Sequence, residues 1–182
     1  LPSMYAAATG RPDRFCAWHF HLPGWSANVA DVMAHPTTSE NTLLAVAAFA
    51  RRIDQTPIVL RQEHPGYVFN DMFNALNTAA INLVATGVVP IEDVDRAWMG
   101  IMKMPIGPGG WLDSIGLDTV WRITDFWANV VSDPRLKQNA ALLKQYVDAG
   151  RLGTKSGGGF YDYPDPAFAA ADFLQGTTDR VS

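Results

Sequence analysis

The chain has 182 residues and a net charge of −4, with 48% apolar and 18% charged side chains. This balance is typical of a folded protein with a hydrophobic core. No Lys/Arg-rich segment and no apolar run of about 18 residues occurs, so nucleic acid and membrane are poor candidate partners. The single cysteine excludes an internal disulfide framework and fits a reducing compartment, so we expect a cytoplasmic protein.

Short apolar segments bounded by proline and glycine fall in the first third of the chain. Residues 14–18 (RFCAW), 28–33 (NVADVM) and 56–62 (TPIVLRQ) are predicted to be strands. Residues 37–53 predict a helix, because Ser39 is a suitable N-cap and apolar side chains follow at helical spacing. Three strands are too few to bury both faces of a sheet. We therefore expect them to be the last strands of an α/β domain whose other strands are missing from this chain.

Helical periodicity dominates from Pro65 onwards. A first helix is predicted to end at Gly87, with a core face formed by Phe69, Met72, Phe73, Leu76, Ala80, Leu83 and Val84. PIEDVDRAWMGI and PRLKQNAALLKQYVDAG predict two more helices, and the segment between them predicts one long helix or two short ones around Gly116. In the glycine-rich segment LGTKSGGGFYDYP, Gly157 and Gly159 are expected to serve backbone conformation, with Phe160 and Tyr161 packed on the core.

Six sequence blocks follow one another within residues 1–163: RPDRFCAWHFHLP, FARRIDQTPIVL, HPGYVFNDMFNALNTAA, GVVPIEDVDRAW, MPIGPGGWLDSIGLD and GRLGTKSGGGFYDY. In this order they resemble the carboxyl-terminal part of the L-3-hydroxyacyl-CoA dehydrogenase family, which includes 3-hydroxybutyryl-CoA dehydrogenases. The resemblance implies a mainly α fold: a helical carboxyl-terminal dehydrogenase domain, like that of 6-phosphogluconate dehydrogenase, plus the terminal strands of a truncated Rossmann domain.

The resemblance also implies two domains with different functions. Residues 1–62 would be the carboxyl-terminal remnant of a Rossmann domain that binds NAD, and residues 63–182 a helical domain for substrate binding and homodimerisation. The G-x-G-x-x-G fingerprint that cradles dinucleotide phosphates is absent from the sequence. We therefore expect NAD to be bound mainly by a missing amino-terminal domain, and this chain to be inactive alone. The implied substrate is an acyl-CoA of fatty acid metabolism.

His19 and Asp31 are the catalytic candidates that the resemblance implies. His19 matches the catalytic histidine of the family, and an imidazole suits the transfer of the 3-hydroxyl proton near neutral pH. Asp31 lies twelve positions later, where the family has glutamate. A carboxylate there would orient the imidazole and stabilise its protonated form, although the aspartate side chain is one methylene shorter.

Asn70 and Lys155 are the binding candidates that the resemblance implies. Asn70 matches the asparagine of the family's Pro-Gly-Phe motif, and its amide can donate to a thioester carbonyl or position the histidine. Lys155 matches the lysine of Lys-x-Gly-x-Gly-Phe-Tyr, which reaches the cofactor from the helical domain.

Departures from the family pattern cluster around His19. Leu22 replaces an asparagine and His21 replaces a phenylalanine. These changes leave two alternatives open: a non-catalytic dimerisation or binding module of the same fold, and a sister hydroxyacid dehydrogenase whose substrate carries no CoA. Strand alternation places His21 on the face of His19. No third ligand follows at a convincing spacing, so we expect no metal site.

Overall fold

The computed structural model describes residues 1–21 and 27–176. The chain divides into two compact units, Leu1–Phe73 and Asn74–Ser182, and each is described by itself. The strands lie in the first unit. The second unit is built from helices and short turns, so the predicted order of strands first and helices later is confirmed.

The first unit is built on a three-stranded sheet. Its strands are β1 (Ala17–Phe20), β2 (Val29–Met33) and β3 (Thr56–Leu60), in the order β1-β2-β3. β1 pairs with β2 antiparallel, and β2 pairs with β3 parallel. A short helix α1 (Ser3–Ala6) precedes the sheet, and α2 (Glu40–Arg52) connects the two parallel strands. Since β2 is the central strand, it is the buried one.

Helix α2 begins where its sequence predicts. The side chain of Ser39 accepts a hydrogen bond from the backbone N–H of Thr42, which satisfies one of the free donors of the first turn. Ala47 and Ala50 form the buried face of the helix. Their small side chains allow α2 to approach β2 and β3, which it contacts.

The second unit contains most of the helical residues. Its helices are α3 (Phe69–Ala85), which starts before the unit boundary, α4 (Ile91–Met102), α5 (Pro108–Ile115), α6 (Leu117–Val130) and α7 (Pro134–Asp148). Gly116, at a φ of 101°, separates α5 from α6, so the alternative of two short helices is the one that the structure adopts. None of the described helices combines the length and hydropathy needed to cross a bilayer.

The buried face of α3 differs from the predicted one. Met72 and Leu83 were expected in the core, yet they are 61% and 41% exposed, while Asn77 and Ile81 are buried. Asn139 of α7 explains the difference. Its side-chain amide donates to the backbone carbonyl of Thr78 over 2.9 Å and accepts from Asn82. These amide contacts place the side of α3 that carries Thr78 and Asn82 against α7, which apolar periodicity alone does not reveal.

Two buried aspartates anchor the glycine-rich segment. Asp113 accepts hydrogen bonds from the backbone N–H groups of Phe160 and Tyr161, at 2.8 and 2.9 Å. Asp95 accepts from the Tyr161 hydroxyl over 2.8 Å, and burial together with the Asp95 charge raises the pKa of that phenol. A Cβ at Gly159 would lie 2.0 Å from the Asp113 carboxylate, so only glycine fits there. Phe160 and Tyr161 are core residues, as predicted.

Candidate active site

His19 and Asp31 face each other across the antiparallel pair. The register of β1 and β2 makes them direct cross-strand partners, so their side chains share one face of the sheet. The distance from His19 Nδ1 to Asp31 Oδ2 is 3.6 Å, which is within ion-pair range but too long for a hydrogen bond. Asp31 is fully buried, whereas the side chain of His19 is 29% exposed. The imidazole is therefore the accessible member of this pair.

His21 is the closer partner of the same carboxylate. Its Nε2 lies 3.0 Å from Asp31 Oδ2, a hydrogen-bond distance. The rings of His19 and His21 meet edge to face with centroids 4.8 Å apart, which confirms that the two histidines share a face. Phe69, in the first turn of α3, packs edge to face against His21 with ring centroids 5.3 Å apart. The buried carboxylate of Asp31 therefore interacts with both imidazoles through one oxygen.

Tyr67 fixes the ring of His19. The two rings stack with centroids 4.4 Å apart and planes 9° apart. Gly66 and Tyr67 have φ values of 89° and 54°, so the backbone turns sharply through the left-handed region just before α3. Burial and the nearby Asp31 raise the pKa of Tyr67, which keeps the phenol protonated. The sequence analysis assigned no role to Tyr67. The one local feature that marks this position is the Pro65-Gly66 pair, which favours a turn.

Two buried polar atoms of the site have no hydrogen-bond partner among the described residues. They are Nδ1 of His19 and Oδ1 of Asp31. A buried carboxylate is stable only when it is paired or hydrogen-bonded. Here the compensation comes from the two imidazoles on the Oδ2 side. An imidazole held against a carboxylate in this way is suited to accept and return a proton.

Asn70 and Lys155 lie in different units, and Leu22 lies outside the described residues. Asn70 follows Phe69 in the first turn of α3, and its side chain makes no hydrogen bond among the described residues, which leaves the side-chain amide available to a ligand. Lys155 forms an ion pair with Asp118 over 2.5 Å. To reach a cofactor, its ammonium group must first leave this carboxylate.

Comparisons with known proteins agree on one family. The model of the 3-hydroxyacyl-CoA dehydrogenase C-terminal domain matches residues 66–163, and that of the family's NAD binding domain matches residues 1–64. A probable 3-hydroxybutyryl-CoA dehydrogenase of Bacillus subtilis is 36% identical over 88% of this chain and 55% of its own length. The chain spans about half the length of the curated relatives it matches.

Solved structures give the same result. A structure reported for the dual catalysis of dicarbonyl compounds by diketoreductase is 38% identical, with a TM-score of 0.83 over 90% of this chain and 56% of that chain. The (S)-3-hydroxybutyryl-CoA dehydrogenase of Ralstonia eutropha is 30% identical, with a TM-score of 0.78 over 91% and 58%. The family model that matches residues 1–64 is an NAD binding domain, which supports NAD as the cofactor. The chain belongs to the 3-hydroxyacyl-CoA dehydrogenase family.

Proposed function

We propose that this chain is part of an NAD-dependent oxidoreductase that interconverts L-3-hydroxyacyl-CoA and 3-oxoacyl-CoA. The observation that carries the proposal is the His19 ring, which is stacked on Tyr67 and lies beside the buried carboxylate of Asp31. It presents a fixed proton acceptor in a chain whose two family models both belong to 3-hydroxyacyl-CoA dehydrogenases.

His19 acts as the general base of this reaction. NAD, when bound, would supply the acceptor for the hydride that leaves C3 of the substrate. His19 accepts the proton of the 3-hydroxyl group as the carbonyl forms, and returns it in the reverse direction. Asp31 stabilises the imidazolium that results. Asn70 donates to the thioester carbonyl and so positions C3.

The described residues suit the reacting end of the cofactor rather than its phosphates. Neither of the helices that follow a strand, α2 and α3, begins in a glycine-rich turn of the kind that cradles a pyrophosphate. Lys155 would contribute a single cation once it is released from Asp118. We therefore propose that the phosphates of NAD are bound outside these 182 residues, and that the 182-residue chain alone is inactive.

Steady-state kinetics of the complete gene product test this assignment, with NADH and acetoacetyl-CoA as substrates. We expect turnover in the wild type and a loss of about 10²- to 10⁴-fold in His19→Gln. His64→Gln is the matched control, because His64 is exposed and its side chain pairs with the exposed Asp71. Turnover that survives in His19→Gln would contradict the catalytic role. A wild type without any turnover would favour the non-catalytic module.

A dicarbonyl reductase without a CoA substrate is the second candidate. The solved diketoreductase has the highest TM-score among the structures named above. The departures from the family pattern at His21 and Leu22 follow the reacting histidine by two and three positions in the sequence. The same enzyme preparation, assayed with a free diketone or diketo ester in place of acetoacetyl-CoA, distinguishes the two. A higher kcat/KM for the free dicarbonyl compound would favour the second candidate.

Homodimerisation through the helical unit is part of the proposal. Four apolar residues of α6 lie on one face and are 40–59% exposed: Ile123, Phe126, Trp127 and Val130. Such a contiguous apolar face is typical of a protein interface. Light scattering should give a dimer for the wild type and a monomer for Phe126→Asp. Leu44→Glu, at an exposed position of α2, should stay dimeric.

A further inference from the structure

We propose that His19, His21 and Asp31 together form a binding site for a divalent transition-metal ion such as Zn²⁺. The potential ligand atoms of the three side chains all lie within 4.8 Å of one another. Two imidazole nitrogens and one carboxylate form a donor set that suits Zn²⁺ and its neighbours in the first transition row. Waters would complete the coordination shell.

The geometry fits a small cation with little movement. In a tetrahedral zinc site, metal–ligand bonds of about 2.0–2.1 Å place neighbouring ligand atoms about 3.3 Å apart. Asp31 Oδ2 lies 3.0 Å from His21 Nε2 and 3.6 Å from His19 Nδ1, on either side of this value. Shifts of a few tenths of an ångström would therefore bring two edges of the ligand triangle to the length that zinc requires.

The unpartnered atoms provide an independent indication of a cation. Asp31 is fully buried, and its Oδ1 has no hydrogen-bond partner among the described residues. The Nδ1 atom of His19 is likewise buried without a hydrogen bond. A metal ion at this point would bind the lone pair of each imidazole and neutralise the buried carboxylate. The third ligand, Asp31, cannot be recognised from its spacing along the sequence, because the pairing of β1 with β2 brings it to the two histidines.

Rings packed around the site hold the ligands in place. His19 stacks on Tyr67, and His21 packs edge-on against Phe69. These contacts restrict both imidazoles to the orientation in which they face Asp31, and so reduce the entropy lost when a metal binds. In the family pattern a phenylalanine occupies the position of His21, so this donor set is a property of the present chain.

Metal binding at this site would inhibit the proposed reaction, and this consequence rests on the proposed function. A neutral imidazole carries one N–H. If Nδ1 of His19 binds the metal, the hydrogen is confined to Nε2. That nitrogen then has no free lone pair with which to accept the substrate proton. Zn²⁺ should therefore suppress oxidation of the 3-hydroxyl group, and a chelator should restore it.

Cobalt substitution tests the binding site directly and needs no turnover. The chelator-stripped protein is titrated with Co²⁺, and the visible absorption bands of the bound ion are recorded. We expect one Co²⁺ per chain, displaced by Zn²⁺. His21→Phe, which introduces the residue of the family pattern, should weaken Co²⁺ binding by at least about 100-fold, because even outer-shell partners account for 10- to 100-fold.

His64→Gln controls for adventitious binding to an exposed histidine, and it should bind Co²⁺ like the wild type. Circular dichroism tests whether His21→Phe is folded. If it is not, His19→Gln serves as the second ligand variant. Absence of a Co²⁺ band in the wild type, or equal binding in the folded ligand variant, overturns the proposal. Metal binding in a protein without dehydrogenase turnover would support the site while refuting the proposed function.

Discussion

The carboxylate of Asp31 lies closer to His21 than to His19, at 3.0 Å compared with 3.6 Å from the same oxygen. The family pattern pairs Asp31 with the catalytic histidine, His19. In this structure Asp31 instead forms its hydrogen bond with His21. Asp31 is one methylene shorter than the glutamate of the pattern, and its carboxylate lies in ion-pair range of the His19 ring but beyond hydrogen-bond distance. His21 takes the hydrogen-bond position at the same carboxylate oxygen. The two departures from the pattern are thus structurally coupled.

Replacing Asp31 by asparagine should lower kcat by at least about 100-fold and leave KM nearly unchanged. An amide cannot stabilise the imidazolium of His19. The fold should survive, because asparagine has the same shape and Oδ1 of Asp31 has no hydrogen-bond partner to lose among the described residues. Kinetics of the complete gene product and a thermal melt check both points. Asp54→Asn, at an exposed turn, should match the wild type. An unchanged kcat in Asp31→Asn would mean that the carboxylate is merely structural.

Replacing Tyr67 by alanine should lower kcat by roughly 10- to 100-fold, because the His19 ring loses the aromatic surface that fixes its orientation. Tyr67→Phe keeps the stacked ring and lacks only the hydroxyl, so it should retain activity close to that of the wild type. The two variants separate ring stacking from phenol chemistry. If Tyr67→Phe is as impaired as Tyr67→Ala, the hydroxyl itself takes part in the reaction.

Local signals in the sequence were sufficient to place most elements. The N-cap at Ser39 depends on neighbours within a few residues, and it appears in the structure. The sequence left open one long helix or two short ones around Gly116, and the structure has two. The pairing of His19 with the residue twelve positions later came from the family pattern, and the strand register agrees with it.

Features that depend on distant residues could not be predicted. The face of α3 that is buried is decided by amide contacts from Asn139, which lies about 60 residues further along the chain. The hydrogen bond from His21 to Asp31 requires the register between β1 and β2 as well as the lengths of both side chains. The stacking of Tyr67 on His19 joins the turn before α3 to strand β1. None of these follows from periodicity or composition.

Replacing Asp113 by asparagine should destabilise the helical unit by about 2–4 kcal/mol. Three donors converge on this carboxylate: the N–H groups of Phe160 and Tyr161 and the hydroxyl of Tyr163. An asparagine would present an N–H₂ group to at least one of them and leave a buried donor unsatisfied. Urea denaturation followed by tryptophan fluorescence measures the loss. Asp165→Asn, at an exposed position, should leave the free energy of unfolding unchanged.

The ion pair between Lys155 and Asp118 should make a small contribution to stability that disappears in acid. The hydrogen bond from Lys155 lowers the pKa of Asp118 below its usual value. A carboxyl whose pKa is lower in the folded state stabilises the fold above its unfolded pKa, near 3.9, and loses that effect as the pH falls through the folded value. Lys155→Met should therefore unfold more easily at neutral pH, by at most about 1 kcal/mol because the pair is partly exposed.

The difference between the wild type and Lys155→Met should shrink as the pH falls below about 4, where protonation of Asp118 removes the pair in the wild type as well. Urea denaturation at a series of pH values from neutral to acid measures it. Lys137→Met, at an exposed position of α7, should show no pH-dependent difference. A gap between Lys155→Met and the wild type that persists unchanged in acid would show that Lys155 stabilises the loop through its aliphatic stem rather than through Asp118.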